Sequence, residues 1–149
     1  MLRPVLLYLE PGILKSLEWN VEDRPIIEKS KILEIFDTEH WKNLESFKFI
    51  GGAKFPQEEA GIQILAHLKE FEVLVNNISV LLLFEIRENL LRSAHLESAV
   101  FRASGDKDFY DFQIPEIFRD FLNSWKIGCQ KEGEAGNRYE CLRIEKIDN

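Results

Sequence analysis

Sulfur is scarce in this chain. Cys129 and Cys141 are its two cysteines and Met1 its one methionine. A pair of thiols is no disulfide framework, so two reduced cysteines in a cytoplasmic protein are expected. Without methionine the core has little soft filler and must be shaped by stiffer side chains. Long apolar runs are also missing. No window reaches the roughly 18 apolar residues of a membrane helix. The most apolar stretch, Ile78 to Ile86, is bounded by Asn76 and Asn77 before it and by Arg87 and Glu88 after it. The short apolar run near Met1 has no small-residue cleavage site behind it, so no secretory signal is expected. Positive charge is short as well. Bases and acids number 8 and 9 up to Phe55, 4 and 7 from Pro56 to Ser104, and 7 and 10 beyond, for a net charge of −7. No third of the chain is basic, which excludes a phosphate-tracking nucleic-acid surface.

What is present describes a globular domain. An apolar fraction of 45% and a charged fraction of 30% are far from the composition of disordered chains. A length of 149 residues suits one domain spanning 1–149 with its own core. Eleven phenylalanines point to a core built of rings.

Periodicity suggests the elements. Pro4–Leu9 reads as a strand and the segment from Pro11 to Trp19 as a short helix. Pro25 to Phe36 reads as a second helix, and Asp37 as the cap of a third that carries Trp41. Ser46–Ile50 alternates and stops at Gly51-Gly52, as a strand closed by a turn does. Ile64, Leu65, Leu68, Phe71, Leu74 and Val75 follow three-to-four spacing, which predicts a helix up to Val75. A second helix follows from Ile78 to His95, with a buried strand over Ser79–Ile86 as its rival. Ala99–Ser104 and Asp108–Phe112 flank Gly105 and read as a hairpin. Pro115 to Trp125 has a helical stripe that ends near Gly128, and Arg138–Ile147 alternates as a terminal strand beside Val5–Leu9. No internal repeat, low-complexity tract or linker is expected. The expected fold is α+β: a central apolar helical hairpin (61–75, 78–95) packed on a small, mostly antiparallel sheet. A mainly helical domain with one β-hairpin is the alternative.

Residues with chemistry form no recognised pattern. His40, His67 and His95 lack metal-ligand spacing, so no metal or cofactor is expected. Glu85 and Asn89 have the spacing of the magnesium-holding helix of gyrase-like ATPases, but the Gly-rich boxes that family requires are absent. No serine sits in a nucleophile elbow. No catalytic residue is assigned. Asp106, Asp108, Tyr110 and Asp111, around the turn, form the candidate interaction surface. The reading that follows is a non-enzymatic, cytoplasmic protein–protein interaction module. Its concrete form is a small acidic inhibitor of the immunity-protein kind acting on a basic protein partner. The alternative is a hydrolase whose site is assembled from distant residues such as His40, Glu39 and Asp111. A homo-oligomer using surplus apolar surface is a third reading; the oligomeric state is not set by the sequence.

Overall fold

In Ser46-Phe-Lys-Phe-Ile50, Phe47 and Phe49 face one way and Lys48 the other. Strand geometry puts successive side chains on opposite faces. In the computed structural model this segment is strand β2 (Ser46–Ile50), as expected, with both rings buried and Lys48 exposed. The structure describes residues 15–20, 34–50, 55, 61–75, 77–104, 114–132 and 139–147.

The same alternation builds five more strands. They are β1 (Ser16–Asn20), β3 (Glu70–Val75), β4 (Ser98–Ser104), β5 (Trp125–Glu132) and β6 (Tyr139–Lys146). The sheet order is β1-β2-β3-β4-β6-β5. The first three pairings are parallel and the two that involve β6 are antiparallel. The parallel strands follow chain order without reversal. Parallel crossovers are right-handed, so connections between strands laid down in one direction all fall on one face. That face is apolar: Leu17, Phe47, Phe71, Val73, Ala99, Phe101, Leu142 and Ile144 share it with the helices. The other face is polar. Parallel strands covered on both sides read as continuous apolar runs; these alternate because the crossovers cover one side.

The complete helical elements among the described residues are short. They are α1 (Glu39–Lys42), a 3-10 turn at Ile62–Leu65, α2 (Val80–Asn89), α3 (Ile114–Ile117) and a 3-10 turn at Arg119–Phe121. Thr38, rather than Asp37, caps α1, its Oγ1 accepting the Trp41 N–H at 3.2 Å. Ser79 caps α2 in the same way at Leu82, also at 3.2 Å. Gly61 enters the first 3-10 turn with a φ of 79°, where a side chain would be strained and would strike Gln63.

These elements correct the expected fold. The helical hairpin over 61–75 and 78–95 is not formed. Its first arm is a 3-10 turn followed by β3, whose burial alternates with every residue. Leu65 is buried in the turn, Leu68 just after it, and Phe71, Val73 and Val75 in the strand, so separate patterns add up to an apparent helical stripe. Its second arm is helical over 80–89, which decides Ser79–Ile86 in favour of helix. The sheet is a six-stranded mixed sheet with three parallel pairings, neither small nor mostly antiparallel, and the mainly helical alternative fails with it. The expected helix up to Trp19 overlaps β1. The helix from Pro115 to Trp125 is two single turns followed by a strand that runs through Gly128. Of the expected hairpin, Ala99–Ser104 falls within β4; its turn and Asp108–Phe112 lie outside the described residues, as do Pro4–Leu9. The terminal strand is present, but it lies inside the sheet between β4 and β5.

The register exposes a repeat. Ser16, Ser46, Glu70 and Ser98 are aligned across the four parallel strands. Each stands two residues after a leucine: Leu14-x-x-Leu17-x-Trp19, Leu44-x-x-Phe47-x-Phe49, Leu68-x-x-Phe71-x-Val73 and Leu96-x-x-Ala99-x-Phe101. The backbone repeats too. The Lys15 carbonyl accepts from the Glu45 and Ser46 N–H at 2.8 and 3.0 Å, Glu45 from Lys69 and Glu70 at 2.8 and 3.2 Å, and Lys69 from Glu97 and Ser98 at 2.7 and 3.1 Å. Leu44, Leu68 and Leu96 are all buried. A strand plus a helical connection under an L-x-x-L-x-L pattern is the plan of a leucine-rich solenoid. β6 and β5 close this array with antiparallel pairing.

Candidate functional site

The polar sheet face is assembled by the same register. Partners across a sheet point to the same side. One row holds Ser16, Ser46, Glu70, Ser98, Glu145 and Lys126. The next holds Glu18, Lys48, Glu72, Val100 and Arg143. A third, at the far end of the parallel strands, includes Leu74, Arg102 and Cys141. Burial rises along the strands. Glu18, Lys48, Glu70, Lys126, Arg143 and Glu145 are exposed, whereas Cys141 is 0% exposed. The open part of the face is therefore where the parallel strands begin.

Charges on this face interlock. Glu72, with 15% of its side chain exposed, lies between Arg102 at 3.0 Å and Lys48 at 3.6 Å. Arg102 reaches the same carboxylate oxygen through Nε, also at 3.0 Å. Ser46 Oγ donates to Glu70 at 3.2 Å. Charge-assisted bonds from both guanidinium nitrogens fix Glu72 and tie β2, β3 and β4 together outside the core. The result is a stiff surface with acids and bases interspersed.

A second feature lies at the start of the strands, on the helical side. Trp41, Lys42, Gln63, Ile64, His67, Arg92 and His95 are among the residues lining an open groove of about 540 Å³. Trp41 packs edge-on against Phe47 at 4.8 Å and 83°, and against His67 at 5.4 Å. Its indole N–H donates to the Ile64 carbonyl at 3.3 Å. His67 Nε2 is 2.7 Å from the Trp41 carbonyl, so this nitrogen carries the proton and donates. Burial pushes the His67 pKa below its ordinary 6.5. Bonds to the Trp41 and Ile64 carbonyls oppose that shift, and nearby His95 adds to it.

The sequence-derived candidates are dispersed. Asp106, Asp108, Tyr110 and Asp111 lie outside the described residues. His40 is buried, while Glu39 is exposed and pairs with Lys42 at 3.5 Å, so this His–Glu pair is not gathered on one open surface. Glu85 and Asn89 are linked through the helix itself, the Asn89 amide donating to the Glu85 carbonyl at 3.0 Å. His67 bonds back to Trp41 rather than sharing a helical face with Glu70, which is on β3. Cys129 and Cys141 form no disulfide with each other; they stand at offset positions on adjacent strands, facing opposite sides. Among the described residues no group of three or more His, Cys, Asp or Glu is placed to hold a metal ion. The polar rows went unseen because each strand contributes two or three ordinary polar residues, and only parallel pairing sets them side by side.

Fold and surface together define a single-faced strand-and-helix repeat array with an open polar sheet. The profile of the FTH domain matches residues 1–122, and the chain belongs to this family. Among solved structures it resembles a Streptococcus pneumoniae protein provisionally named a tRNA (m1A22) methyltransferase, in complex with S-adenosyl-L-methionine. The identity is 12%, the match covers 99% of this chain and 72% of that one, and the TM-score is 0.41. A likeness that distant carries no chemistry across. No curated protein sequence matches the chain.

Proposed function

We propose that the chain is a protein-docking module that receives its partner on the polar sheet face. The observation that carries this reading is the one-sided sheet. Six strands at about 4.8 Å spacing make a platform some 24 Å wide, and the helical connections gather on the opposite side. Solenoid proteins use such strand-lined surfaces for extended contacts. The FTH family is F-box-associated. The narrower form, an acidic inhibitor of a basic partner, rests on the net charge of −7. The face itself is balanced, with Glu18, Glu70, Glu72 and Glu145 against Lys48, Arg102, Lys126 and Arg143. It therefore suits a partner of mixed charge. Two cysteines outside any disulfide fit a reducing compartment, and a cytoplasmic location is part of the proposal. Among the described residues no helix is long and apolar enough to cross a membrane.

The test is affinity capture from the source cells with two variants. Lys48→Glu combined with Arg143→Glu alters the sheet face. Leu81→Lys combined with Phe84→Lys alters the outer side of α2, where Leu81 is 67% exposed. The sheet-face variant is expected to recover at least about tenfold less of the partner that wild type enriches, the loss typical of removing interfacial charges. The α2 variant is expected to recover it fully. The reverse result would place the partner on α2 and end the reading.

A further inference from the structure

The groove at the strand starts is a product of the repeat. Lys42 stands two residues before Leu44, His67 directly before Leu68, and Arg92 and His95 within four residues before Leu96. Because the three leucine motifs are in backbone register, the residues just upstream emerge side by side. Lys42, Arg92 and two histidines thereby share one groove, and among the described residues no acid lines it. In a chain with a net charge of −7 that is a local gathering of basic side chains. Lys42 pairs with Glu39 and Arg92 with Glu88, both at 3.5 Å, but all four side chains are largely exposed. Exposed pairs of this kind hold weakly, so both cations remain available to an incoming group. The floor is apolar and firm. Trp41 is buried among rings and Ile64 is partly buried against the core.

We infer that this groove binds a short acidic segment of a partner protein. Arg92 and Lys42 take the carboxylates, His67 and His95 flank them, and an adjoining apolar residue of the segment sits on Trp41 and Ile64. A nucleic acid fits less well. Two fixed cations, Lys42 and Arg92, in a groove of about 540 Å³ cannot track a phosphate backbone, and the net charge of −7 disfavours a polyanion. This site is separate from the sheet face and would bind its segment whether or not that face docks a partner.

The experiment uses the full chain against a random heptapeptide library, followed by anisotropy on the best binders. Peptides that combine Asp or Glu with Leu or Phe are expected to be selected. Their affinity should fall at least about tenfold in the Lys42→Glu, Arg92→Glu variant, as expected for interfacial charge reversal, with the circular dichroism spectrum unchanged. The Lys48→Glu, Arg143→Glu variant should bind them like wild type, which keeps failure here distinct from failure of the sheet-face reading. The inference is overturned if nothing is selected, if acids are not enriched, or if the groove variant binds equally well. It is also overturned if a single-stranded oligonucleotide binds more tightly than the peptides.

Discussion

At the scale of single residues, His67 is the side chain whose environment does the most to its chemistry. Burial lowers its pKa, so the neutral ring is favoured in the folded chain and the unfolded chain binds the extra proton more readily. Stability is then unaffected well above the ordinary value of 6.5 and is lost as pH falls through it, because unfolding takes up a proton. Wild type is expected to lose more unfolding free energy between pH 7.5 and 5.5 than His67→Gln, whose amide can still donate to the Trp41 carbonyl. Urea unfolding at the two pH values measures the difference. Equal losses would show that His67 is not the group responsible. Little of this is legible in the sequence. Three histidines without ligand spacing read alike, yet one is buried, one lines the groove half-buried and one is exposed. What separates them is the register of the strands, a long-range property.

At the scale of elements, the instructive segment is 61–75. Three-to-four spacing of Leu65, Leu68, Phe71, Leu74 and Val75 is what a helix would show, and Glu70-Phe-Glu-Val-Leu-Val75 alternates as a strand does. A window long enough to see the first pattern spans two different elements. Val73 separates the readings, because it lies off the helical stripe and on the buried face of β3, where it is 0% exposed. Val73→Ala is expected to cost about 2 kcal/mol, the burial of its lost methyl groups plus a cavity. Glu70→Ala, on the exposed face of the same strand, should change stability by less than about 0.5 kcal/mol. A near-zero effect at Val73 in urea unfolding would restore the helix. Ser46–Ile50 and the helical part of 78–95 were legible because each is one element with its own local signals: strict alternation closed by Gly-Gly in one, a leucine-rich apolar run in the other.

At the scale of the whole molecule, the repeat was hidden by its own irregularity. The leucines that open the motif are 24 to 30 residues apart, and the two apolar positions after each vary from Phe–Phe to Ala–Phe. Packing tolerates that variety because a large ring on one strand can fill the space left by a small residue on its neighbour, as Phe71 and Phe101 do with centroids 5.3 Å apart around Ala99. Register, by contrast, is fixed by backbone bonds that any residue can make. The architecture also sets where the array loosens. Each repeat is held by its neighbours, so opening starts at strands with one partner and ends at strands with two. Among the described strands, β1 pairs with β2 alone and β5 with β6 alone, while β3, β4 and β6 are paired on both sides. Amide hydrogen exchange under native conditions is expected to be slowest for Val73, Phe101 and Leu142, whose strands form the middle of the sheet. It should be at least about tenfold faster in β1, a difference of some 1.4 kcal/mol in opening free energy. If the amides of Leu17 and Glu18 were as protected as that of Phe101, the sheet would open as a single unit, and the view of the chain as an array of neighbouring repeats would have to be given up.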